Sequence, residues 1–341
     1  MSVRTLHPRR GPHNPLRVPA SRVLCSVRRT STIDAVRPEG LSGPVVLRGL
    51  ARDLVTDADG NGRVTGRAAL EVEVDFAGGR VVRAVRAEPD EPRLGALVGA
   101  RAAGGFRALV AQAVPDHVEA ATLLHLLLDD VPGAVLVSGH APAAARVDLD
   151  PGGVGYRFAA DRCAGWRSGG TIMAEIRRSG RPPVVVGPPA PPLRVASDPL
   201  AWHEMAELPV HGMRRSRCLD LQRDGADLLL ESWFRDSHVD AGGVEEVIHE
   251  YRVSVWVDAA TLRVLEVATS PHVLPFVECP LAAGSGQRLV EVPVDKLRSF
   301  VRRELTGVGT CTHLNDQYRS LADLPALLAQ LPGHTTATAG E

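Results

Sequence analysis

In the stretch GTCTHLNDQYRSLADL (309–324), Cys311 and His313 stand two residues apart at the start of an amphipathic helical pattern. Thiolate and neutral imidazole are ligands for zinc and iron, and a thiol beside an imidazole is equally the beginning of a nucleophile and base pair. Three further stretches of the same half add donors: FRDSH holds Asp236 and His238, HEY holds His249, and VECPLA holds Cys279. The catalytic candidates are therefore Cys311 and His313. The metal candidates are His249, Cys279 and Cys311, with His313, His238 or Asp236 as a fourth ligand.

The elements around these residues decide whether they can meet. In HEYRVSVWVD, Tyr251, Val253, Val255 and Val257 alternate with Arg252, Ser254 and Trp256, which is the period-2 pattern of a half-buried antiparallel strand. His249 shares the parity of the apolar set and so points to the covered face. Pro280 suits the first turn of a helix and leaves Cys279 at or near its N-cap. Cys311 lies on the stripe of Leu314, Tyr318 and Leu321, one turn before them. His313 is about 200° around a helix from Cys311, so the two can share an ion only if the helix begins at Thr312 or later. Helix starts favour thiolate, and two inward thiols over an inward histidine would make a tetrahedral zinc or iron site.

An internal repeat sets the larger frame. VRRTSTIDAVRPEG from Val27 aligns with MRRSRCLDLQRDG from Met213, placing Arg28, Arg29 and Asp34 over Arg214, Arg215 and Asp220. ARDL at Ala51 then falls on FRDS at Phe234, LEVEVD on VSVWVD, and GFRALV on KLRSFV. The reading is two copies of one domain, 22–138 and 211–330, each with its own core and packed as an intramolecular pseudo-dimer. Carried into the first copy, Cys279 lands near Ala96, His238 near Val55, His249 near Gly66, Cys311 near Ala120 and His313 near Thr122. The first copy has none of the donors, which places chemistry in the second copy and packing in the first. Cysteine-to-alanine exchange between two related cores gives the same asymmetry with no site at all.

Each copy begins with strands and ends with helices such as the stripe Leu297, Val301, Leu305. That order implies an α+β fold with helices on one face of an antiparallel sheet. Outside the copies, 1–21 reads as a disordered basic, proline-rich arm and 331–341 as a disordered tail. The segment 139–210 connects the copies, with a short strand and a helix near 171–178. Its stretch 181–197 has six prolines in its first twelve residues and reads as an extended linker.

Bulk properties exclude several classes. A formal net charge of -1 gives no field for nucleic acid or an anionic membrane. Lys296 is the single lysine, so Schiff-base or phosphate-loop lysine chemistry is excluded elsewhere, and the arginine bias fits a GC-rich genome. No apolar run has the length of a membrane helix, and the first twenty residues lack the apolar core of a secretory signal. Five scattered cysteines fit reduced thiols, and the expectation is a cytoplasmic protein. TDADGNGRV (56–64) imitates a calcium loop but has Ala68 where a bidentate glutamate is required, so it reads as a hairpin turn. His125, in HLLLDD, reads as core or rim.

FRDSH, HEY, ECPLA and TCTHLNDQYRSLADL, in this order, resemble the bacterial domain-of-unknown-function family numbered 2889, over roughly 211–330. That resemblance implies a domain and carries no activity. A more distant similarity is to NifU-like iron–sulfur scaffolds and their zinc-binding relatives, which implies His249 or Glu250, Cys279 and Cys311 as ligands in that order. The expected function is a metal-binding protein holding zinc or iron. The alternatives are a cysteine-dependent transferase or hydrolase, with His249 or His313 as base, and a non-catalytic accessory protein. The partner is an unknown small molecule or protein.

Overall fold

The computed structural model describes residues 6–17, 21–147 and 160–333. Eight strands form the frame: β1 (Ser26–Val36), β2 (Val45–Thr56), β3 (Gly62–Asp75), β4 (Val81–Glu88), β5 (Met213–Asp224), β6 (Asp227–Val239), β7 (Glu245–Val257) and β8 (Val264–Val273). They hydrogen-bond into one antiparallel sheet in the order β4-β3-β2-β1-β5-β6-β7-β8. The two four-stranded meanders therefore run outward from a central β1–β5 pair. The calcium-like stretch is the β2–β3 turn, where Asp57 accepts from the backbone of Asp59 and Asn61.

The central pair is self-complementary. Ser31 lies opposite Arg217, Arg28 opposite Asp220 and Asp34 opposite Arg214. Arg28 Nε donates to Asp220 at 2.6 Å and Arg214 Nε to Asp34 at 2.7 Å, both in bidentate pairs. A local two-fold axis between Ser31 and Arg217 relates these contacts, the geometry of an isologous interface. Bulges interrupt the register after Asp53 in β2 and after Asp236 in β6, at positions the sequence alignment superimposes.

Helices cover one face. Over the first half lie α1 (Phe106–Ala113), α2 (Pro115–Glu119), α3 (Leu123–Ser138) and α4 (His140–Ala144); over the second lie α6 (Leu297–Glu304), α7 (Thr312–Ser320) and α8 (Leu324–Leu328), while α5 (Thr171–Ser179) precedes the second half. Val72, Phe106, Leu127 and Val131 belong to one apolar core and Tyr251, Val255, Leu297, Val301, Leu314 and Tyr318 to another. The predicted helical stripes and strand alternation thus face inward. The two cores share one sheet, however, and are not separate domains resting on each other. Between them the sheet centre is ionic: Arg29 binds Asp53 and Asp323, Arg215 binds Asp236 and Asp316, and Arg217 binds Asp130. All of these side chains are buried, so each charge is offset by an opposite one beside it, and Arg29–Asp323 and Arg217–Asp130 join the two halves.

The second face is covered by chain expected to be arm and linker. Residues 6–17, read from sequence as disordered, run along β8, with Asn14 N donating to His272 O at 3.0 Å and Leu274 N to Pro12 O at 3.0 Å. Arg9 adds side-chain bonds to Thr171 and Glu278, partners too far along the chain to leave a local pattern. The proline-rich stretch bridges β7 at Pro189 and Glu246. Further on, His203 sits between Thr30 and Thr32, and Trp202 is fully covered. The helix expected near 171–178 is α5; the short strand expected before it falls largely outside the described residues.

Candidate metal centre

β6 presents Asp236 on the helical face, with Phe234 on the same side, and β7 places His249 directly opposite Asp236. The helix α7 begins at Thr312, with Cys311 as its extended N-cap at φ -134° and ψ 130°. The condition set by the helix geometry is thus met: Cys311 lies outside the helical turn, and His313 swings over the strands. Asp236 Oδ2 lies 3.4 Å from His249 Nδ1 and 3.7 Å from His313 Nε2. The imidazole rings stack with centroids 3.9 Å apart and planes 23° from parallel. One donor atom from each of Asp236, His249 and His313 lies within 4.8 Å of the others.

Asp236 is fully buried, whereas the His249 and His313 side chains keep 13% and 15% exposure, enough to open the site on one side. Arg215 orients the carboxylate, donating from Nε to Oδ1 at 2.9 Å and from Nη2 to Oδ2 at 3.2 Å. Burial alone would raise the Asp236 carboxyl, but Arg215 and the two imidazoles outweigh it and hold it below the usual range. His313 is pushed down to about 3, first by burial and then by His249, so its ring is neutral at neutral pH. His249 Nδ1 is buried and finds no hydrogen-bond partner of normal geometry. An imidazole nitrogen without a hydrogen-bond partner beside a carboxylate oxygen forms a donor pair of the kind that holds a cation.

The cysteines lie on the far side of His313. Cys311 Sγ is 3.8 Å from His313 Nδ1, the nitrogen turned away from Asp236. Cys279 opens a short 3-10 helix at its first position and interacts electrostatically with Cys311 and Cys163. Neither thiol belongs to the close donor set of Asp236, His249 and His313. Burial pushes Cys311 up to about 11 and raises Cys279 further, the opposite of the thiolate expected from a helix start. The reason is that the sulfurs enter the apolar second core, where desolvation outweighs the backbone N–H groups. His238 lies elsewhere, with ring centroids 4.8 Å from His140 and 6.1 Å from His211.

Three contributors escaped the sequence reading. Arg215 was visible only as a matched arginine of the repeat. Tyr251, read as core, has a fully buried hydroxyl beside the sulfurs of Cys311 and Cys279. Cys163 belongs to a segment without periodicity, and only its residue type could have drawn notice. A groove of about 870 Å³ lies far from all of these, between the open face of β2–β4 and residues 206–212.

The matched region coincides with the half that carries this cluster. Residues 213–326 match the family described as protein of unknown function (DUF2889). The DUF2889 match begins with β5 and ends inside α8, so it takes in Arg215, Asp236, His249, Cys279, Cys311 and His313 and leaves out β1–β4. No curated protein and no solved structure matches the chain. The similarity to NifU-like scaffolds finds no support in these comparisons.

Proposed function

We infer that the protein binds one divalent transition-metal ion, zinc or iron, through Asp236, His249 and His313, in one half of a duplicated α+β fold. The observation that carries this reading is the spacing of the donors. Around a tetrahedral ion with bonds of about 2.1 Å, neighbouring donor atoms sit about 3.4 Å apart, close to the 3.4 Å and 3.7 Å from Asp236 Oδ2 to the two imidazoles. One carboxylate and two imidazoles suit zinc or ferrous iron, and Arg215 supplies the outer contact that fixes the carboxylate. Cys311 plays the corresponding part at His313 Nδ1. Three protein ligands leave a position for water or substrate, where the ion supplies Lewis acidity.

The thiol-nucleophile reading has the 3.8 Å contact between Cys311 and His313 in its favour. It is the weaker one, because a buried thiol at about 11 holds its proton at neutral pH.

Full-length protein purified without a histidine tag is expected to carry about one zinc or iron per chain by elemental analysis. His249→Ala and His313→Ala should each lose it, while Cys279→Ala should keep it. Metal-free wild-type protein that also fails to take up zinc or iron on dialysis would sink the reading, as would retention of metal in both histidine variants.

A further inference from the structure

Behind His313, the second core contains a cluster of thiols that the metal reading does not use. Cys163, Cys279 and Cys311 converge there, each within electrostatic reach of the other two. The Tyr251 hydroxyl is fully buried against the Cys311 sulfur, a polar contact in an otherwise apolar core.

The backbone singles out one pair. Ala164 N donates to Thr310 O at 2.8 Å, so the peptide group linking Cys163 to Ala164 is bonded to the one linking Thr310 to Cys311. Both cysteines are extended, Cys163 at φ -155° and ψ 172° and Cys311 at φ -134° and ψ 130°. That one bond holds the two peptide groups 2.8 Å apart from nitrogen to oxygen, an approach compatible with the separation of about 4.4–6.8 Å between Cα atoms that a disulfide spans. Cys279 differs: it is the first residue of a 3-10 helix, and its sulfur packs where a Cβ on Gly165 would lie, 2.9 Å away.

We propose that Cys163 and Cys311 form a reversible disulfide by exchange with low-molecular-weight disulfides such as oxidised glutathione. Cys163 is the more exposed of the two and attacks first. Its sulfur bonds to one glutathione sulfur, the S–S bond of glutathione breaks, and the other half leaves as thiolate, taking up the proton that Cys163 gave to solvent. Cys311 gives its proton to solvent as it attacks the Cys163 sulfur and expels the second glutathione as thiolate, a slow step because burial favours the protonated thiol. The balance is two protein thiols and one glutathione disulfide giving one protein disulfide and two glutathione thiols. The bond ties residues 160–166 to the N-cap of α7 and withdraws the sulfur from His313 Nδ1. The proposal is independent of whether a metal binds.

The test uses full-length protein, incubated with excess oxidised glutathione, blocked with iodoacetamide and digested with trypsin. Cleavage after arginine places Cys163 in peptide 163–167, Cys311 in 304–319 and Cys279 in 264–288. The expected product joins 163–167 to 304–319, two hydrogens lighter than the separate peptides, and dithiothreitol reverses it. Cys163→Ser should abolish this product and Cys279→Ala should leave it unchanged. Joining of 163–167 to 264–288, cross-linking that survives in Cys163→Ser, or mixed glutathione disulfides alone would each overturn the proposal. The readout is a mass and needs no ion, so its failure leaves the metal reading standing and the reverse also holds.

Discussion

Three buried imidazoles should make the fold unusually sensitive to mild acid. Burial pushes His125 down to about 4, His203 to about 3 and His313 to about 3. In the unfolded chain each titrates near its ordinary value of about 6.5. Between roughly pH 6.5 and 4 the unfolded state therefore binds protons that the folded state refuses, and stability falls as pH falls. At pH 5 each histidine costs about 2 kcal/mol and the three about 6 kcal/mol, from about 1.36 kcal/mol per unit of pKa difference. That is comparable with a typical domain stability of about 5–15 kcal/mol. The carboxylates held low by arginine, such as Asp236, lose their contribution only below about pH 4, so they do not contaminate this window. Urea denaturation with a chelator present, repeated from pH 7.5 to 5, gives the slope. His125→Leu removes one titration within α3 and should flatten the slope by about a third. Stability that stays level between pH 7.5 and 5.5, or a His125→Leu slope equal to wild type, would refute the argument.

Other expectations concern the ionic seam. Arg215→Met leaves Asp236 buried without its cation, and Arg29→Met does the same to Asp53; each should cost about 3–5 kcal/mol by urea denaturation. Equal and small losses in both would show that the seam is solvated. Gly133→Ala places a Cβ 1.9 Å from Arg215 Nη1, an arginine pinned by buried carboxylates, and should destabilise by about 1–3 kcal/mol or more despite alanine's better helix propensity. A double-mutant cycle on Arg28 and Asp220 should match the cycle on Arg214 and Asp34 within about 0.5 kcal/mol, since the local two-fold axis puts the two bidentate pairs at equivalent strand positions.

Much of the sheet was legible because alternation records which face is covered. Tyr251, Val253 and Val255 are buried and Arg252 is exposed, as the pattern in β7 requires. The helical stripe through Leu297 and Val301 was readable for the same reason. The joining of the two halves was not, because β1 and β5 carry arginines, serines and threonines on both faces and look like solvated strands. Their burial depends on carboxylates far along the chain, which no local pattern encodes. The seating of 6–17 on β8 was not legible because it depends on hydrogen bonds to distant backbone, which no local pattern encodes. At the site, residue types drew the eye to sulfur, yet Cys279 and Cys311 sit in apolar surroundings outside the close donor set of Asp236, His249 and His313. His249, His313 and Asp236 were all in view, but their ranking required knowing which side of the His313 ring faces the sheet.

The first half of the sheet contains a natural control for the metal reading. Asp53 occupies the place of Asp236 and takes the same bidentate contact from an arginine, Arg29. Opposite it stands Gly66 where the second half has His249. Asp53 Oδ2 takes a further hydrogen bond, from Gln330 Nε2 at 3.0 Å. Asp236 Oδ2 has no such amide and faces two imidazoles instead. A buried carboxylate held by arginine is therefore a requirement of the seam, while the two imidazoles are an addition that the seam does not need. Asp53→Asn and Asp236→Asn should then destabilise the protein comparably, since both disturb a buried arginine pair. Only Asp236→Asn should lose zinc or iron, measured on folded protein at low temperature and normalised to chain concentration. Equal metal content in the two variants would mean that the carboxylate serves the seam alone and that the stacked histidines belong to packing.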